Sequence, residues 1–249
     1  MDYNKDSFLA GIAVGRQLKG WASGGGGGER PIEPINYDML EARMRGTLNV
    51  PIESDIPELG KYALAHCPNL QSASFPNVPT IPEGAFLQCV GLTEIDAPEA
   101  TEIGENAFEG CDALTHVTFP KVAALGRQAF ANCLGLQEVT IKGMITSIEA
   151  GPFGSCKALR RVDICLAVSF GNMMFNACES LETVIIRQTG DGGTFVPGFG
   201  SNAMYKVPET CCFYIPSASY SYFIAKTVWK RYADAGRLKK IEEYPDICG

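Results

Sequence analysis

Cys67, Cys89, Cys111, Cys133, Cys156 and Cys178 follow one another at intervals of 22, 22, 22, 23 and 22 residues, and cysteine can serve as nucleophile, metal ligand or disulfide partner. A thiol becomes a nucleophile beside a base, and the chain has two histidines to offer, His66 next to Cys67 and His116 after Cys111. The cysteine recurs and the histidine does not. We therefore expect buried packing residues and free thiols that do no chemistry. Zinc would require short paired spacings such as Cys-x-x-Cys, and the adjacent Cys211 and Cys212 do not supply them. Disulfide frameworks belong to short secreted chains that cannot build a core, and side chains stacked in parallel do not readily aim their sulfurs at each other. Asp191, in Gly-Asp-Gly-Gly, is one carboxylate where calcium takes six to eight oxygens. The run Gly24 to Gly28 lacks the Gly-Lys-Ser/Thr ending of a phosphate loop and reads as a linker. Any carboxylate pair or triad would have to be assembled across distant segments. Accordingly we expect no catalytic residue, no metal and no cofactor.

The elements that carry these cysteines repeat with them. Three residues after each stands a leucine: Leu70, Leu92, Leu114, Leu136, Leu159 and Leu181. Ala73, Ile95, Val117, Val139, Val162 and Val184 come next, then Phe75, Ala97, Phe119, Ile141, Ile164 and Ile186, with the period of a strand in the last step. Leu64, Phe86, Phe108, Phe130, Phe153 and Phe175 precede the cysteines, and Leu59, Ile81, Ile103, Leu125, Ile148 and Phe170 lie further upstream. A unit this short cannot bury such a face alone. Neighbours must stack, so the spacing predicts a solenoid whose strands pair in parallel about 4.8 Å apart.

The unit from Ile103-Gly104-Glu105-Asn106-Ala107-Phe108 through Cys111 and Leu114 to Val117-Thr118-Phe119-Pro120 resembles BspA-type leucine-rich repeats. The likeness covers Leu59 to Arg187 and continues in weaker form to the C-terminus. It implies a repeat solenoid, a leucine-rich-repeat superhelix of α/β class with short parallel strands on the concave face and a helix-containing C-terminal cap. Such proteins often stand on the surface of gut and oral bacteria or of their phages and bind partners. Later units drift: Pro76, Pro98 and Pro120 end the first three strands, and Lys142, Cys165 and Arg187 take that place in the next three.

These features divide the chain into an N-terminal helix or attachment segment at 1–22, a Gly-rich linker at 23–34 and a flank at 35–58. Six repeats at 59–187 and a degenerate repeat with a cap at 188–249 follow. Thr189 to Gly200, with five glycines, reads as a loop or irregular rung. In the cap, Ser217 or Ser219 is placed to cap a helix that turns Tyr222, Phe223, Val228, Trp229 and Tyr232 toward the last rung. The opening Asp2 to Arg16 resembles the start of some phage structural proteins.

A formal charge of −7 argues against a nucleic-acid partner, because phosphate binding needs clustered Lys and Arg. No stretch is long and apolar enough to span a membrane. Met1 to Ser7 sets Asp2 and Asp6 against Lys5, which does not read as a secretory lead-in, and cell surface, virion and cytoplasm stay open.

In each strand the residues before and between the apolar positions should project from the sheet: Ser72 and Ser74, Glu94 and Asp96, His116 and Thr118, Glu138 and Thr140, Arg161 and Asp163, Thr183 and Ile185. Core positions repeat while these vary, which suits a surface free to specialise, although a merely solvated polar face has the same look. We expect Glu94, Asp96, His116, Thr118, Glu138, Thr140, Arg161 and Asp163 to bind a partner, with Arg161 the anchor by residue type. Two functions fit. One is a non-enzymatic module that recognises a protein or glycan on a cell surface, as in adhesion. The other is a structural phage tail or virion component attached through residues 1–22.

Overall fold

A computed structural model describes residues 52–53, 57–189 and 195–248. The helix expected at 1–22, the linker at 23–34, most of the flank at 35–58, and Asp191 lie outside them. The main strands are β1 (Ile52–Glu53), β2 (Ser72–Ser74), β4 (Glu94–Asp96), β6 (His116–Phe119), β8 (Glu138–Ile145), β10 (Arg161–Leu166), β11 (Thr183–Thr189), β12 (Cys212–Ile215) and β13 (Leu238–Lys240). Between them lie the two-residue strands β3 (Thr80–Ile81), β5 (Glu102–Ile103), β7 (Ala124–Leu125) and β9 (Ser147–Ile148).

All main strands pair in parallel and in register with the repeat, for example Val117 with Val139 and Val139 with Val162. The strand at Ile52 pairs with Ala73 and so carries the sheet into the segment read as a flank. Hydrogen-bonded pairing is interrupted once, between β4 and β6, which leaves a three-stranded sheet β1-β2-β4 and a six-stranded sheet from β6 to β13. The short strands form a second parallel sheet, β3-β5-β7-β9, on another side of each rung. Strands of two residues show no periodicity, so the sequence carries no signal for this sheet.

A third ladder joins the rungs at their turns. Tyr62, Gly84, Asn106, Gln128, Gly151, Met173 and Asn202 have positive φ, as do the residues four further on, His66, Gln88, Gly110, Asn132, Ser155, Ala177 and Lys206. From each such turn but the last, alternate N–H groups donate to the following rung: Asn106 to Arg127 at 2.9 Å, Phe108 to Ala129 at 2.8 Å and Gly110 to Ala131 at 3.0 Å. Intervening N–H groups bond three residues back in their own turn, as Ala107 does to Gly104 and Glu109 to Asn106. The left-handed conformation costs a residue with a Cβ about 1–2 kcal/mol, and these shared hydrogen bonds offset it. No helix occurs in any described repeat; the helices stand in the C-terminal cap.

The repeat's apolar positions make one continuous core. Phe86, Phe108, Phe130, Phe153 and Phe175 stack along its length, with ring centroids 5.1, 4.9, 5.6 and 5.9 Å apart. The six ladder cysteines are free and buried as expected. Each thiol after the first donates to a main-chain carbonyl of the preceding rung: Cys89 to Leu64, Cys111 to Phe86, Cys133 to Phe108, Cys156 to Phe130 and Cys178 to Phe153, at 2.9 to 3.2 Å. Burial pushes the Cys111 and Cys156 thiols well above the ordinary range and the Cys178 thiol up to about 12, so all three stay protonated and unreactive. At the corner of the rung Gly126 lies close on the rung beneath, where a Cβ would stand 2.5 Å from the carbonyl carbon of Gly104.

The cap departs from its expected geometry. Two short helices, Tyr220–Ile224 and Thr227–Asp234, replace one, and neither Ser217 nor Ser219 makes a side-chain capping bond. Ser217 instead gives its hydroxyl and N–H to Glu242, a residue 25 positions later. Phe223 and Trp229 are buried as expected, but Tyr222 and Val228 are exposed. Each adjoins a buried residue within its own short helix, where neighbours in sequence point to different sides. Trp229 seals the core against Phe199, Phe213 and Phe223 and donates its indole N–H to the Pro197 carbonyl at 2.7 Å.

Candidate interaction surface

Alternation along the strands places two columns of side chains on the outer face of the main sheet. The first runs Ser72, Glu94, His116, Glu138, Arg161, Thr183 and Cys212, and the second runs Ser74, Asp96, Thr118, Thr140, Asp163, Ile185, Tyr214 and Lys239. Six of the eight expected residues share the six-stranded sheet: His116 pairs with Glu138 and Glu138 with Arg161, while Thr118 pairs with Thr140 and Thr140 with Asp163. Glu94 and Asp96 belong to the three-stranded sheet beside it.

Glu94, Asp96, His116, Thr118 and Glu138 are exposed. Few bonds constrain them. Ser74 donates its hydroxyl to Asp96 at 3.0 Å, and the His116 ring nitrogen lies 2.9 Å from the Thr115 hydroxyl. Three acids and one histidine make this end of the face acidic.

Further along, the face closes. Asp163 was expected to project into solvent and is 5% exposed, while Ile185, expected beside it, is fully buried. The reason is a β-bulge. Register runs from Ile164–Ile186 directly to Cys165–Gln188, so Arg187 is the extra residue. Its guanidinium reaches back onto Asp163, with Nε 2.8 Å from one carboxylate oxygen and a terminal nitrogen 2.7 Å from the other. Arg161 adds a longer bond to the same carboxylate at 3.4 Å. One buried carboxylate thus holds two guanidinium groups. Beyond it the C-terminal segment lies on the sheet: Tyr244 packs edge-on against Tyr214 at 5.2 Å and accepts a bond from the Lys239 ammonium at 3.3 Å.

Arg187, Tyr214, Lys239 and Tyr244 were not among the expected residues. Arg187 alone had a signal, since it stands where earlier rungs have proline. Among the described residues no group of three or more His, Cys, Asp or Glu side chains is placed to hold a metal. No described helix is long and apolar enough to cross a membrane. What the face offers is an extended polar surface, open and acidic at one end and closed over Asp163 at the other.

The model of the BspA type leucine rich repeat region matches in six copies, over residues 43–121 and 79–191. Among solved structures, a leucine-rich repeat protein of Treponema pallidum is 22% identical, covers 65% of this chain and 79% of its own, and superposes with a TM-score of 0.51. One from Bacteroides ovatus is 21% identical over 67% of this chain at a TM-score of 0.48, and this chain spans 47% of its length. The pneumococcal vaccine antigen PcpA is 18% identical over 78% of this chain at a TM-score of 0.46, with 40% of its own length spanned. At these identities the likeness is one of fold. No curated protein matches in sequence.

Proposed function

Since the chain belongs to the family of BspA-type leucine-rich repeats, we propose that it is a non-enzymatic recognition module that binds a protein or glycan of a cell surface through the outer face of its main sheet, in the manner of an adhesin. The observation that carries this is a contrast within the same strands. Inward positions hold one residue class from rung to rung, whereas the outward columns, exposed at Glu94, Asp96, His116 and Glu138 and half-buried at Arg161, change charge and shape. A packed interior imposes the first and leaves the second to other demands. Extended solenoid surfaces are the size that specific partners bury.

The test displays the purified chain to bacterial and epithelial surfaces and to immobilised glycans, beside the Glu94→Ala, Asp96→Ala double variant and Arg161→Ala. Loss of capture in either variant, with melting unchanged, supports the reading. Capture that survives both variants and fails on substitution of the turn side removes the sheet face from consideration.

A further inference from the structure

The main sheet continues past the last full repeat through β12 and β13, but the turn ladder has no such continuation. Its last complete step runs from Met173, Phe175 and Ala177, whose N–H groups donate to Ser201, Ala203 and Tyr205 at 2.8, 2.9 and 2.8 Å. The corresponding donors of the final turn are the N–H groups of Asn202, Met204 and Lys206. These three have no partner among the described residues. Asn202 and Lys206 nevertheless keep the left-handed conformation of the ladder, with φ of 54° and 60°, so the donors stand as they would for another rung. Asn202 and Met204 line a groove of about 320 Å³ together with Tyr205, Val228 and Tyr232, and Lys206 stands beside it, next in sequence to Tyr205. Tyr205, 55% exposed, and Val228 form its apolar walls, and the Lys206 ammonium lies 5.8 Å from the Tyr205 ring centroid. The cap covers the core and leaves this corner open.

We propose that this groove docks one segment of another protein chain. Main-chain carbonyls of the segment accept from Asn202, Met204 and Lys206, and its apolar side chains rest on Tyr205 and Val228. Aligned N–H groups give the groove a positive pole, which selects acceptors. The donors sit on alternate residues, so a carboxylate or phosphate meets neighbours at most, whereas a chain presenting carbonyls at alternate residues meets all three. This is how Ser201, Ala203 and Tyr205 serve the rung before. Main-chain pairing with side-chain pockets is the physics of strand addition, transferred here to a turn ladder. A second copy fits poorly. Two such ends would oppose donor to donor, and at the other end of the ladder Ala63 and Ala65 are already engaged.

The probe is an acetylated, amidated peptide with the sequence of residues 126–132, whose carbonyls do this work inside the solenoid for Asn106, Phe108 and Gly110. Titrated into the ¹⁵N-labelled full chain at millimolar peptide, it should give saturable downfield shifts at the Asn202, Met204 and Lys206 amides. Val228→Glu, which sets a carboxylate over the donors, should weaken the response about tenfold or more. Tyr205→Ala serves as a second variant should the first lower the melting temperature, and should weaken the response likewise. Arg161→Ala should leave it unchanged, which separates this groove from the sheet face. Amides that do not move, shifts confined to other surfaces, or the same shifts produced by sodium acetate alone would overturn the proposal, the last because an anion would then suffice.

Discussion

The rungs that end in proline and those that do not build the same interior and opposite exteriors. At β2, β4 and β6 the strand stops within three or four residues, before Pro76, Pro98 and Pro120, since proline offers no N–H to the ladder. The face above them is open and acidic. At β8, β10 and β11, where Lys142, Cys165 and Arg187 stand instead, strands run for eight, six and seven residues, acquire a bulge and draw Arg187 over Asp163. Loss of the proline lengthens the strand, and at β10 and β11 the outer face closes, while Glu138 on β8 stays exposed and the core is the same throughout.

That comparison can be broken at the core first. Phe108→Ala in the open half and Phe153→Ala in the closed half should each cost about 3–5 kcal/mol, measured by denaturant unfolding, because both rings are fully buried in the same stack. A clear inequality would show that the halves differ inside as well as outside. Next in size is Asp163→Ala. It strands two guanidinium groups that are themselves partly open to solvent, and should cost about 2–3 kcal/mol. Asp96→Ala, at the equivalent position of the open half, should stay within about 0.5 kcal/mol.

The thiols sharpen the comparison through pH, as a property common to both halves. Burial raises Cys178 and Cys211 from the ordinary 9.0 to about 12, so folding holds their protons after the unfolded chain has released them. Their contribution is complete below pH 9 and falls with rising pH by about 1.4 kcal/mol per unit for each, until pH 12. Denaturant midpoints should accordingly decline above pH 9, and thiol reagents should label the ladder cysteines only on unfolding. A flat profile, or rapid labelling of the native protein, would contradict burial of the ladder. The smallest effect is expected from deleting residues 1–30. If that segment is an attachment element coupled through the Gly-rich run, differential scanning calorimetry should find the melting temperature nearly unchanged, and a fall of many degrees would show that it packs on the solenoid.

Residue types and spacing by themselves determined the stacked rung, its inward positions, the parallel register of the main strands and the fate of the cysteines. Burial in a solenoid is periodic along the chain, so Phe86, Phe108 and Phe130 announce each other at a fixed interval. Of the expected surface, Glu94, Asp96, His116, Thr118 and Glu138 were legible for the complementary reason, that alternation in a strand turns them out. Tertiary structure alone decided the rest. The turn ladder depends on which residues adopt positive φ, and Tyr62, Gln128 and Met173 do so with no residue type in common. The closing of the face depends on where a bulge lands Arg187, 24 residues from the carboxylate it covers, and the groove depends on where the cap stops covering the final turn. Such outcomes are set by contacts between rungs, and composition at one position carries no record of what the rung above it will place there.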